Sequence, residues 1–226
     1  MTITAWLGTA LSFLDGTAHT QQAPAPDRNP VLLIHGIADS GRNMERMACY
    51  LRAEGWEIHT LNLTPNWGQA GLESLAGQID GFARNEFGRR KFDLVGFSMG
   101  GLVSRYYLQR LGGVERVERF VSLAAPHHGS QLAHLMSGHG CRQMRPGSAF
   151  LLDLASDADQ LERVKFTSLY TPLDLVIVPA RSSVMPQARN VKLPIGTHPG
   201  MVLRKTSLRA VAAALRSERY QRIGTP

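Results

Sequence analysis

From residue 30 onward, short apolar runs alternate with stripes at helical spacing. The run Pro30-Val31-Leu32-Leu33-Ile34-His35-Gly36 is continuous and ends on a glycine, as a strand buried on both faces of a parallel sheet does. Residues 43–55 carry Met44, Met47, Ala48 and Leu51 on one side of a helix, and residues 56–63 read as the next strand. Residues 72–87 form a second helical stripe through Leu72, Leu75, Ile79, Phe82 and Ala83. A strand over 91–97 and a helix over 101–111 follow, the helix stopped by Gly112-Gly113. Further strands are expected at 117–124, 166–170 and 188–193, with a short apolar continuation at 175–179. A looser helical region covers 148–154, and a closing helix over 207–219 places Leu208, Val211, Ala212 and Leu215 together. Strands that alternate with helices predict an α/β fold, a mainly parallel sheet of about six strands with helices on both faces. Residues 1–29, with their proline-rich stretch 21–30, read as a partly irregular N-terminal extension, and residues 30–226 as one domain.

Composition narrows the function classes. A chain of 226 residues fills one α/β domain, and 43% hydrophobic with 19% charged residues is ordinary for a soluble globule. No apolar run reaches the ~18 residues of a membrane-spanning helix. Residues 1–15 lack a basic leader and a small-residue cleavage site, so a cytoplasmic protein is expected rather than a secreted one. The net charge of +7 is carried mainly by arginine. With no nucleic-acid module in the chain, this charge favours peripheral contact with an anionic membrane surface. Two distant cysteines, Cys49 and Cys141, make no disulfide framework and read as free thiols.

The chemistry is concentrated in Leu94-Val95-Gly96-Phe97-Ser98-Met99-Gly100-Gly101. This Gly-x-Ser-x-Gly sits between a predicted strand and a predicted helix, the context in which a sharp turn lifts a serine hydroxyl to the top of a sheet. Such a hydroxyl needs a base, and the base needs a carboxylate to fix its tautomer. In this arrangement the chain order is serine, acid, histidine. His198, in the loop 193–200 after the last strand, meets that order. His127 and His128 precede every plausible acid and suit a structural or groove-lining role. Among the acids, Asp174 follows a strand end and is flanked by apolar residues. Asp153 is the second choice, while Asp157 and Asp159 fall in a polar turn. The oxyanion donors expected are the backbone N–H groups of Met99 and of Ile37, in the loop after the first strand. His35 reads as a buried structural residue. No metal site and no cofactor is expected: His127, His128 and His134 lack the nearby thiolates or carboxylates that would complete a zinc site, and there is no phosphate-binding loop or dinucleotide fingerprint.

The chain resembles the short bacterial triacylglycerol lipases of the α/β-hydrolase fold, especially the compact lipases of photosynthetic bacteria. The resemblance rests on residues 29–37, 92–101, 124–130, 166–178 and 188–200. It implies a minimal α/β-hydrolase fold and a carboxylic ester hydrolase of triacylglycerol-lipase type, with Ser98, Asp174 and His198 as triad and a lipid ester as substrate. One departure stands out: only residues 131–145 are available where larger lipases insert a long lid, enough for a short flap through Leu132, Leu135 and Met136. Apolar residues expected to line the acyl groove are Met44, Leu132, Met136, Met185, Ile195 and Met201, methionine being adaptable to a flexible chain. An acyltransferase or thioesterase would use the same triad, and a non-catalytic lipid-binding module of this fold is the third reading.

Overall fold

The computed structural model describes residues 28–217; the extension read over residues 1–29 lies almost wholly outside them. Six strands, β1 (Val31–Ile34), β2 (Ile58–Leu61), β3 (Phe92–Phe97), β4 (Val117–Leu123), β5 (Lys165–Tyr170) and β6 (Arg189–Lys192), form one sheet in the order β2-β1-β3-β4-β5-β6. Every pairing is parallel. All strands therefore end on one edge of the sheet, and the loops that follow β1, β3 and β5 gather there.

Alternation along each strand sends successive side chains to opposite faces. Leu32 and Ile34 enter one core with residues of α2 (Leu72–Phe87), α3 (Met99–Arg110) and, beyond a short α4 (His139–Gln143), α5 (Ala149–Ser156). Val31 and Leu33 enter the other with α1 (Gly41–Ala53), a short α6 (Gly200–Leu203) and α7 (Lys205–Arg216). β1 and β3, at the centre, are buried throughout, whereas the edge strands β2 and β6 carry polar, partly exposed positions that discourage further pairing.

Helix ends follow local chemistry. Ser40 accepts the Arg42 N–H at 3.3 Å, so α1 begins at Gly41, ahead of Met44, the first apolar position of its stripe. Ser148 caps α5 through the Leu151 N–H in the same way. The second strand is shorter than its apolar run, because Trp56 packs into the α1 and α7 core instead of extending the sheet. The closing helix starts at Lys205, earlier than the stripe indicates, and residues 218–219 lie outside the described range. Residues 175–179 are irregular rather than a continuation of β5.

Candidate active site

β3 delivers Ser98 to the sheet edge. Its backbone, at φ 53° and ψ −123°, lies where a non-glycine residue is strained. The turn is held by the Ser98 N–H on Leu123 O at 2.8 Å and by the Gly101 N–H on Ser98 O at 2.9 Å. Glycine is required on both sides by close approach. A Cβ on Gly96 would lie 2.8 Å from both Gly100 O and Gly101 Cα, and one on Gly100 would lie 2.7 Å from Ile34 O and against His35 O. The helix thus starts hard against β1, and Ser98 occupies its N-cap position without using its side chain as a cap. The hydroxyl remains free for other chemistry, and Met99 opens α3 at the end where backbone N–H groups lack helical partners.

The loop after β1 is fixed by His35. Its Nδ1 donates to Gly36 O at 2.8 Å, and its Nε2 accepts the Leu63 N–H at 2.9 Å, so the buried imidazole is satisfied at both nitrogens. Beyond it Gly36 lies so close to Ser98 that a Cβ there would be 3.2 Å from the serine Cβ. Ala38 takes φ 54° and bonds Asn66 O at 2.9 Å. Ile37 is carried into the wall of the cavity that Ser98 faces.

Asp174 and His198 come from the loops after β5 and β6. Asp174 Oδ1 accepts the Val176 and Ile177 N–H groups, each at 2.9 Å, which curls the irregular 175–179 segment around the carboxylate. Its Oδ2 lies 2.8 Å from His198 Nδ1, with both side chains nearly inaccessible at 2% and 9% exposure. A carboxylate only accepts, so Nδ1 carries the hydrogen and a neutral imidazole presents its Nε2 lone pair. The Phe97 ring packs on the imidazole at 4.8 Å between centroids. Ser98 and His198 line one cavity of about 380 Å³ together with Ile37, Phe97, Val176 and Leu203. Among the described residues no hydrogen bond joins the Ser98 hydroxyl to His198; in unliganded sites a bond of this kind is often long and tightens around a bound molecule.

The other acids are engaged elsewhere. Asp153 and Asp157 pair with Arg110 at 2.9 and 2.6 Å on the α3–α5 surface, and Asp159 accepts from Gln187. His127 is buried and donates Nε2–H to Ser122 Oγ at 2.9 Å, because the Ser122 hydroxyl is itself directed at Ser168. Burial, reinforced by the Arg105 cation, pushes its pKa well below the usual value and keeps it neutral. Arg105, 1% exposed, ties the His127 carbonyl to the Leu154 carbonyl of α5, and burial lowers its pKa to about 10. These groups hold the frame behind the serine and do not line its cavity.

The six residues read as groove-lining are placed differently. Met44, Ile195 and Met201 are packed inside the α1–α7 core, and Met185 inside the opposite one. Leu132 and Met136 lie in and just after the 3₁₀ segment Gln131–Leu135, away from the cavity walls. Val176, Val202, Leu203 and Asn43 line it instead. Residue type marked the methionines as apolar but not the side of the element they face. The helical stripe of α1 already assigned Met44 to the core and left Asn43 on the polar side, so that signal was available.

The family model of the alpha/beta hydrolase fold matches residues 29–171, more than half of the chain. Among solved structures, the mature lipase BlEst2 of Bacillus licheniformis is similar at TM-score 0.72 and 20% identity, over 86% of this chain and 94% of that one. Lipase B of Aspergillus fumigatus aligns at TM-score 0.69 and 17% identity, over 88% of this chain but 56% of its own. A bromoperoxidase of Bacillus anthracis aligns at TM-score 0.61 and 16% identity, over 86% of this chain and 94% of that one. These likenesses describe the fold.

Proposed function

Since the chain belongs to the α/β-hydrolase fold family, we propose that it is a serine hydrolase of carboxylic esters, acting on acylglycerols or membrane glycerolipids in the manner of triacylglycerol lipases. The observation that carries this reading is the 2.8 Å bond between Asp174 and His198 in the loop that shares a cavity with Ser98. Ser98 Oγ attacks the ester carbonyl carbon while its proton passes to His198 Nε2. The negative charge that develops on the carbonyl oxygen is received by the N–H groups of Ile37 and Met99. Collapse breaks the bond to the alkoxy oxygen, which leaves with the proton from His198. Water then repeats the sequence on the acyl-Ser98 ester, giving the fatty acid and regenerating the hydroxyl. Asp174 stays ionised and holds the imidazole through both steps.

Support for a lipid ester comes from the walls. The cavity is mainly apolar, and the exposed side chains of Leu173, Leu175 and Leu203 stand at the acid loop and the cavity rim, where an acyl chain would enter. Hydrolysis of p-nitrophenyl esters of increasing chain length by wild type and Ser98→Ala tests the assignment. Loss of about 10³-fold or more in kcat is expected for the variant, together with stoichiometric capture of a fluorophosphonate on Ser98 in the wild type. Comparable turnover by the variant, or capture at another residue, overturns it.

A further inference from the structure

A second hollow, of about 550 Å³, lies against the first and shares Pro199 and Leu203 with it. Its chemistry is opposite. Arg46 enters from α1, and Arg204 and Lys205 from the junction of α6 and α7, so elements distant in sequence bring three cations to one hollow. Thr197 and Thr206 add hydroxyls, and no carboxylate lines it. Some arginines elsewhere are held by carboxylates: Arg52 by Glu45, Arg84 by Asp80, Arg110 by two aspartates. Among the described residues Arg46, Arg204 and Lys205 form no ion pair, and Glu45, beside Arg46 in sequence, is directed to Arg52 instead.

Three like charges around one concavity repel one another, so folding alone does not favour the arrangement. An anion removes the repulsion, and guanidinium groups match phosphate and sulfonate oxygens with paired donors. The hollow adjoins His198 through Thr197 and Pro199, and no residue of the Asp174 loop lines it. An ester whose carbonyl sits at Ser98 and whose acyl chain fills the apolar cavity has its alcohol portion left to place. We infer that the second hollow receives the anionic head group of the substrate, a phosphodiester or sulfonate borne on the alcohol side of a glycerolipid. This inference rests on the ester-hydrolase reading of the adjoining site.

The test separates the two. Ser98→Ala protein is titrated calorimetrically with dihexanoylphosphatidylglycerol and with uncharged dihexanoylglycerol, both kept monomeric, so that turnover plays no part. The anionic lipid is expected to bind about tenfold more tightly, with the preference collapsing in high salt. Adding Arg46→Gln, Arg204→Gln and Lys205→Gln together should bring the ratio near one while the neutral lipid still binds. The single Arg204→Gln change, the milder variant, should lower the ratio about threefold. Equal affinities in the Ser98→Ala parent, or a ratio untouched by these changes, overturn the head-group site. Inorganic phosphate binding as tightly as the anionic lipid would also overturn it, by showing a site for the free ion. Failure of the hydrolase reading would appear separately, as absent p-nitrophenyl ester turnover in the wild type.

Discussion

Two carboxylates are buried at opposite ends of the same sheet, and they are handled in different ways. Asp174, beyond the C-terminal end of β5, is satisfied by two backbone N–H groups and one imidazole. Asp93, near the N-terminal end of β3, meets the Asn29 amide, the Arg119 N–H and the Arg119 guanidinium. Glu118 extends that second network to Lys165, so it pins the lead-in to β1 together with β3, β4 and β5. Burial raises the Asp93 pKa to about 6 despite the Arg119 cation. Both groups are almost inaccessible, at 2% and 1% exposure. Burial therefore does not by itself mark the candidate site. What separates the two ends is a strained residue with an uncommitted hydroxyl and an imidazole whose second nitrogen faces a cavity.

The largest effects should split along this line. Asp174→Asn is expected to lower kcat by about 10³ to 10⁴-fold, because an amide no longer fixes the imidazole tautomer. Asp93→Asn should leave kcat within about twofold, the ordinary reach of a substitution outside the site. Steady-state kinetics of the two variants side by side would break the contrast if their losses were similar.

Next in size is a dependence of stability on pH that Asp93 contributes. A folded pKa of about 6 against an ordinary 3.8 means that the native carboxyl retains a proton the unfolded chain has released. Its contribution to stability is full below about pH 4 and is lost as pH rises through about 6, a change of up to about 3 kcal/mol. Urea unfolding of wild type and Asp93→Asn across that window should show wild type losing stability relative to the variant as pH rises. A constant difference would refute the raised pKa.

The smallest effect expected is at Phe97, which packs on His198 but makes no bond to it. Phe97→Leu should lower kcat about fivefold through a less well held imidazole, since each 1.4 kcal/mol is tenfold in rate. The Asp174→Asn background should mask most of this loss. Independent, multiplying losses would show that Phe97 does not act through the imidazole.

The sheet was legible because β1 and β3 are buried on both faces, so their apolar runs are unbroken. The long helices were legible because α2 and α7 face a core on one side only. The serine turn was readable from its glycines, whose need is steric and local. Asp174 and His198 were reachable through chain order and their place after strands. The short helices α4 and α6 were missed, as four or five residues hold too little of a helical period to be recognised. The segment 175–179 misled for a different reason: its apolar residues wrap a carboxylate, and wrapping a charge leaves no period at all. The cavity walls were the least accessible feature, because they mix side chains from several loops whose relative placement is set only by the completed sheet.

The exposed Cys49 on α1 and the buried Cys141 give the folded chain one surface address for a thiol reagent. The hydrogen bond to Glu45 and partial burial raise the Cys49 pKa, so its thiolate is scarce at neutral pH. A maleimide or iodoacetamide label should attach slowly there and faster in mild alkali. A fluorophore so installed would ride on the helix that supplies Asn43 to the cavity at Ser98 and Arg46 to the cationic hollow. One dye would then report occupancy of either compartment without altering a residue in the wall of either.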